Sequence, residues 1–120
     1  MSHTVLVVED DLDIRQALIE ILEDHGFQAV GARDGSEALA FLLRAAELPC
    51  VILLDLMMPV MDGASFREAQ RRDPRLASIP VVVLSAYQDA DHHAHGLDAV
   101  SVLRKPPGVR ELVSVLRTHC

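Results

Sequence analysis

The sequence predicts a doubly wound α/β sandwich, a parallel sheet with helices on both faces, and three observations support this. Five short aliphatic runs alternate with segments of helical periodicity. The runs are continuous in hydrophobicity rather than alternating, as in strands covered on both faces, and parallel neighbours need crossovers of about a dozen residues or more. The apolar half of the 120 residues is nearly all aliphatic, with no Trp, one Tyr and three Phe, at a length that suits one domain over residues 1–120.

The elements follow in order. "TVLVV" (4–8) is a short β-branched run ending on Glu9, Asp10 and Asp11, and reads as a buried strand. Ile14, Ala17, Leu18, Ile21 and Leu22 then fall at helical spacing, with Asp11 placed to cap the start and Gly26 to stop it. "FQAVGA" (27–32) alternates weakly and is the least marked strand. In "DGSEALAFLLRAA", Asp34 with Glu37 three residues on forms a capping pattern, followed by an apolar face of Ala38, Leu39, Leu42 and Leu43. "CVILL" (50–54) and "PVVVL" (80–84) read as strands, with a helix "GASFREAQRR" (63–72) between them. "QDADHHAHG" makes a polar fourth helix, "AVSVL" (99–103) the last strand and "GVRELVSVLRTH" (108–119) the fifth helix.

Open parallel sheets bind ligands beyond the carboxyl ends of their strands, near a switch in strand order. Four of the five strands here end on a polar group: Glu9 and Asp10, Asp55, Ser85, and Lys105 before Pro106. A polar residue where a strand meets water is ordinary at any one position. The conjunction of three carboxylates, a hydroxyl and the chain's only lysine on one rim is not, and it marks the candidate site.

Clustered acids need a cation, since each pair repels by about 4 kcal/mol at 4 Å and an effective dielectric near 20. Carboxylate oxygens with room for water suit Mg²⁺; zinc would want Cys or His, and none ends these strands. Beside such an ion a carboxylate can act as nucleophile toward phosphorus and form an aspartyl phosphate. Asp55, at the end of the middle strand, is the central candidate.

The pattern "VLVVEDD … VILLDLMMPVMDG … PVVVLSA … VLRKP", with "DGSEAL" in the second helix, resembles the receiver domain of bacterial two-component response regulators, chemotaxis-type single domains included, over essentially the whole chain. The resemblance implies a flavodoxin-like (βα)5 fold of strand order 2-1-3-4-5. It implies that Asp55 is the phosphoacceptor, that Asp10 binds Mg²⁺ directly with Glu9 as its companion, and that the backbone carbonyl of Met57 completes the metal shell. Ser85 matches the switch hydroxyl, and Lys105 the lysine that pairs with Asp55 or its phosphate. Lys105–Pro106 matches a peptide bond that is usually cis in the family. A sensor histidine kinase or a histidine phosphotransfer protein is the implied phosphodonor. The implied output surface is the face of the fourth helix, fifth strand and fifth helix, read by a downstream protein or effector domain. The protein would be a signalling phosphoacceptor rather than an enzyme, monomeric or weakly dimeric.

Two departures fall on that output surface. Val102 occupies a position that usually holds Tyr or Phe, and "KPP" replaces the common "KPF". Tyr87, the only tyrosine, either shields Asp55 from water or packs on the rim. His92 and His95 share a helical face with no acid or thiol to complete a metal set, so a mild pH response is the expectation there. Two other functions fit part of the pattern. A receiver-like interaction module could work without phosphate. An aspartate-nucleophile phosphatase of the haloacid dehalogenase type would need a second acid two residues past Asp55, where Met57 stands.

Composition excludes other classes. Eighteen acids against eleven bases give a formal charge of −7, which opposes direct binding to nucleic acid or an anionic membrane. No run approaches the roughly 20 apolar residues of a membrane span, and "MSHTVLVVED" lacks the features of a signal peptide. A cytoplasmic protein is the expectation, with Cys50 and Cys120 as reduced thiols.

Overall fold

The computed structural model describes residues 3–55, 63–85, 99–105 and 107–120. Nine elements lie within them: β1 (Thr4–Val8), α1 (Leu12–Asp24), β2 (Gln28–Ala32), α2 (Gly35–Arg44), β3 (Val51–Asp55), α3 (Gly63–Arg72), β4 (Val81–Ser85), β5 (Ser101–Arg104) and the C-terminal helix α4 (Val109–His119). The five strands form one parallel sheet in the order β2-β1-β3-β4-β5. The segment 88–96, expected as a further helix, lies outside the described residues, as do Met57, Tyr87, His92, His95 and Pro106.

Side chains alternate across a strand, and here both sets are apolar. Leu6, Val8, Ile52, Leu54, Val81 and Val83 face one layer and pack with Ala38, Leu42 and Phe66 from α2 and α3. Val5, Val7, Val51, Leu53, Val82, Leu84 and Leu103 face the other and pack with Leu18, Leu22, Leu112 and Leu116 from α1 and α4. The continuous hydrophobicity of the strands follows from this double burial. Strand β2 lies at an edge and is only partly buried, hence its weak pattern.

The helix signals act as their chemistry requires. The Asp11 carboxylate accepts from the Ile14 amide at 3.0 Å at the start of α1. At its end Gly26 takes φ 89°, a left-handed conformation that glycine adopts without a Cβ penalty. The amides of Gly26 and Phe27 then reach back to the carbonyls of Glu23 and Leu22, turning Phe27 into the core. In α2 the Asp34 carboxylate accepts from the Glu37 amide at 2.8 Å, while the Glu37 carboxylate accepts from the Arg33 amide at 3.1 Å. One expectation fails in α2: Leu43 is 64% exposed, and Phe41 packs on the core in its place. At 3.6 residues per turn, Leu43 lies about 140° around the helix from Ala38, off the stripe that Ala38 and Leu42 define.

The cysteines correct a second expectation. Cys50 and Cys120 are joined in a disulfide rather than present as thiols, closing a sequence separation of 70 residues. Cys50 precedes β3 at the amino edge of the sheet, and α4 runs back to that same edge before ending at Cys120. The crossover topology therefore brings the two sulfurs together, with the Cα atoms 5.2 Å apart.

Candidate functional site

The carboxyl ends of β1, β3, β4 and β5 gather the polar residues singled out in the sequence. Val8 pairs with Leu54, so the next residues along, Glu9 and Asp55, emerge side by side. Asp55 itself still pairs within the sheet, opposite Leu84, which fixes its backbone in a strand rather than a loop. Ser85 ends β4, and its carbonyl accepts from the Lys105 amide at 2.9 Å, so the β4–β5 pairing carries Lys105 to the rim.

Lys105 joins the cluster. Its Nζ donates to Glu9 Oε1 at 2.6 Å and lies 3.2 Å from Asp55 Oδ2. Glu9, Asp55 and Ser85 are buried, and Asp10 is exposed at the mouth. Carboxylate oxygens of Glu9, Asp10 and Asp55 come within 4.8 Å of one another. Sheet pairing delivers all five expected side chains to this rim; Met57, expected only for its backbone carbonyl, lies outside the described residues.

Electrostatics show what the cluster lacks. Burial raises the Glu9 pKa from 4.5 to about 8, helped by the hydrogen bond and charge of neighbouring Asp55 and opposed by Lys105. Glu9 thus holds a proton for much of the time near neutrality. Burial works against the Lys105 charge, but its hydrogen bond to Glu9 and the charges of Asp55 and Glu9 keep its pKa above the ordinary lysine value. One ammonium and a retained proton are a makeshift balance for three acids. An all-oxygen set with two buried members and one at the mouth fits a hard divalent cation that keeps part of its water, as Mg²⁺ does.

The pattern reading missed one contact at the site. Arg15 in α1 donates from Nη1 to the backbone carbonyl of Glu9 at 2.9 Å. A side chain serving a backbone atom leaves no residue-pair motif to find; the only available hint was a cation one helical turn past the acidic run.

An open parallel sheet with a carboxylate cluster where β1 and β3 part defines a flavodoxin-like α/β protein with its site at the topological switch point. The chain belongs to the response regulator receiver domain family, which it matches over residues 5–117. It is 35% identical over 119 residues to the phosphate regulon transcriptional regulatory protein PhoB of Escherichia coli (strain K12), covering 98% of this chain and 51% of that protein. The chain therefore spans about half the length of the PhoB proteins it matches. Among solved structures, the chemotaxis protein CheY4 of Vibrio cholerae superposes with a TM-score of 0.88 at 30% identity, covering 100% of both chains. The signal receiver domain of a signal transduction histidine kinase from Syntrophus aciditrophicus gives 0.86 at 31% identity, covering 96% of this chain and 87% of that one.

Proposed function

We propose that this protein is the phosphoacceptor of a histidine-to-aspartate phosphorelay, with Asp55 as the residue that is phosphorylated. The carrying observation is the placement of Asp55: buried at the end of the central strand, 3.2 Å from the Lys105 ammonium, among the acids of β1. An Asp55 carboxylate oxygen attacks the phosphorus of a phosphohistidine on a sensor kinase or phosphotransfer protein. The P–O bond forms as the P–N bond breaks, and the imidazole leaves. Hydrolysis of the acyl phosphate later restores Asp55, so the protein acts as a signalling component rather than a conventional enzyme.

Glu9, Asp10, Asp55 and the backbone carbonyl of Met57 would hold Mg²⁺, which when bound offsets the charge of the phosphoryl oxygens. Lys105 supplies a second positive charge beside Asp55. Ser85, on the neighbouring strand end, bonds a phosphoryl oxygen once it arrives. A phosphoryl group adds close to two negative charges, and the pull on Ser85 and Lys105 is the energy difference that shifts the segments after β4 and β5. The readout surface is then β5, α4 and the segment before β5. Val102 is partly buried against the core there, so an aliphatic side chain stands where the family usually has a mobile aromatic ring.

The phosphodonor must seat next to Lys105. An apolar groove formed by Ile14, Ala17, Leu18 and Ile21 of α1 continues directly onto Lys105 and Pro107 and offers that seat. Among the described residues no helix is long and apolar enough to cross a membrane. Incubation with Mg²⁺ and acetyl phosphate, followed by intact-mass measurement, tests the reading. A Mg²⁺-dependent gain of one phosphoryl group, absent in Asp55→Asn, supports it. No adduct with acetyl phosphate or phosphoramidate would leave a phosphate-independent interaction module instead.

A further inference from the structure

Three carboxylates within 4.8 Å of one another are aimed by the backbone that carries them, so the bonds that fix that backbone matter to the pocket. At Glu9 both backbone groups are engaged. The amide donates to the Ala32 carbonyl at 2.9 Å, and the carbonyl accepts from Arg15 Nη1 at 2.9 Å. That carbonyl belongs to the peptide leading into Asp10, whose amide donates in turn to Glu9 Oε2 at 3.1 Å. The Arg15 bond therefore sets the plane of the peptide that aims two of the three acids.

Arg15 reaches this carbonyl by crossing the edge strand at Gly31. A Cβ at Gly31 would come 3.0 Å from Arg15 Cδ, 3.3 Å from Arg15 Cγ and 3.0 Å from Ile19 Cδ1. Gly31 shows no left-handed φ, so this glycine serves space rather than backbone conformation. A glycine inside a strand weakens it and marks a close approach. Here what approaches is the stem of Arg15.

We infer that Arg15 is a positioning residue for the acidic pocket, with Gly31 as the seat that lets its side chain reach the Glu9 carbonyl. The inference rests on the reading of Glu9, Asp10 and Asp55 as a Mg²⁺ site. Its role is distinguishable from that of a nearby charge. If Arg15 acted only as a cation beside a cation site, its removal would tighten Mg²⁺ binding. A positioning role predicts the opposite, and losses of supporting contacts of this kind weaken metal affinity by about 10-fold or more.

Isothermal titration with Mg²⁺ on the whole chain tests this with Arg15→Met, Arg15→Lys, Gly31→Ala and the Arg15→Met/Gly31→Ala pair. Arg15→Met, which keeps most of the stem and its packing, should bind Mg²⁺ about 10-fold more weakly. Arg15→Lys, which keeps a donor, should recover most of that loss. Gly31→Ala should weaken binding in the same direction, and the double variant should be no worse than Arg15→Met, because both changes break one interaction. The Asp10 amide resonance should shift in Arg15→Met and Gly31→Ala while that of Leu76, which packs on the opposite face of the sheet, stays in place. Unchanged or tighter binding in Arg15→Met, no recovery in Arg15→Lys, or losses that multiply in the double variant would overturn the inference. A wild-type chain that binds no Mg²⁺ would instead remove the metal site on which it rests.

Discussion

Replacing Lys105 with methionine removes the positive member of a buried charge cluster while keeping most of the stem. The Lys105 side chain is 18% exposed, and those of its partners Glu9 and Asp55 are 1% and 6% exposed. At 3.2 Å and an effective dielectric near 20, the Lys105–Asp55 attraction alone is about 5 kcal/mol before desolvation is counted. Breaking a buried pair by removing one partner costs about 3–5 kcal/mol, because the other charge is left uncompensated. Protonation of Glu9 absorbs part of this, which places the expected loss near 3 kcal/mol at pH 8. With an unfolding entropy of about 2.1 cal/mol/K per residue, that corresponds to a fall in Tm of about 12 °C for 120 residues. Thermal unfolding followed by circular dichroism, at pH 8 and pH 5, with and without saturating Mg²⁺, gives the measurement. The loss should shrink at pH 5, where Glu9 is neutral in both proteins, and Mg²⁺ should restore more stability to the variant than it adds to the wild type. A loss below about 0.5 kcal/mol at pH 8, or an equal loss at both pH values, would refute the claim that Lys105 balances buried acids.

Two further outcomes follow from the same geometry. The folded pKa of Glu9, about 8, lies above its ordinary value of 4.5, so between those values the folded state holds more protons than the unfolded one. Stability of the metal-free protein should therefore fall as pH rises from about 5 to 8, and denaturant titrations of Glu9→Gln should show a flatter profile. The Cys50–Cys120 disulfide closes a separation of 70 residues, for which chain entropy gives a stabilisation of about 4 kcal/mol. Urea unfolding of the wild type with a reductant, and of Cys120→Ser without one, should show matching losses of that order, while Mg²⁺ affinity at the opposite edge of the sheet stays unchanged.

The sequence makes the strands legible because β1, β3 and β4 are buried on both faces, which leaves uninterrupted aliphatic runs. Their ends are less so: the runs at 50–54 and 80–84 become strands one residue later, at Val51–Asp55 and Val81–Ser85, because backbone pairing continues through Asp55 and Ser85 after hydrophobicity stops. The candidate site is legible for a related reason. In a parallel sheet every strand end points to one rim, so Glu9, Asp10, Asp55, Ser85 and Lys105 are placed together by topology, whatever their distance in the chain. Leu43 shows the limit of counting apolar residues without their angle around the helix. Cys50 and Cys120 show another: chemical environment argued for thiols, whereas the return of α4 to the amino edge of the sheet brings them together. The Arg15–Glu9 contact was hidden because it joins a side chain to a backbone oxygen and depends on a missing Cβ at Gly31.

The central claim is that one oxygen of Asp55 accepts phosphorus, and borohydride trapping tests it at the level of the residue. An acyl phosphate is reduced by borohydride to the alcohol, so treatment after exposure to Mg²⁺ and a phosphodonor should convert residue 55, and no other acid, to homoserine in peptide mapping. Omitting Mg²⁺ should suppress the conversion. Homoserine at another position, or unmodified Asp55 in protein that has demonstrably gained a phosphoryl group, would contradict the account.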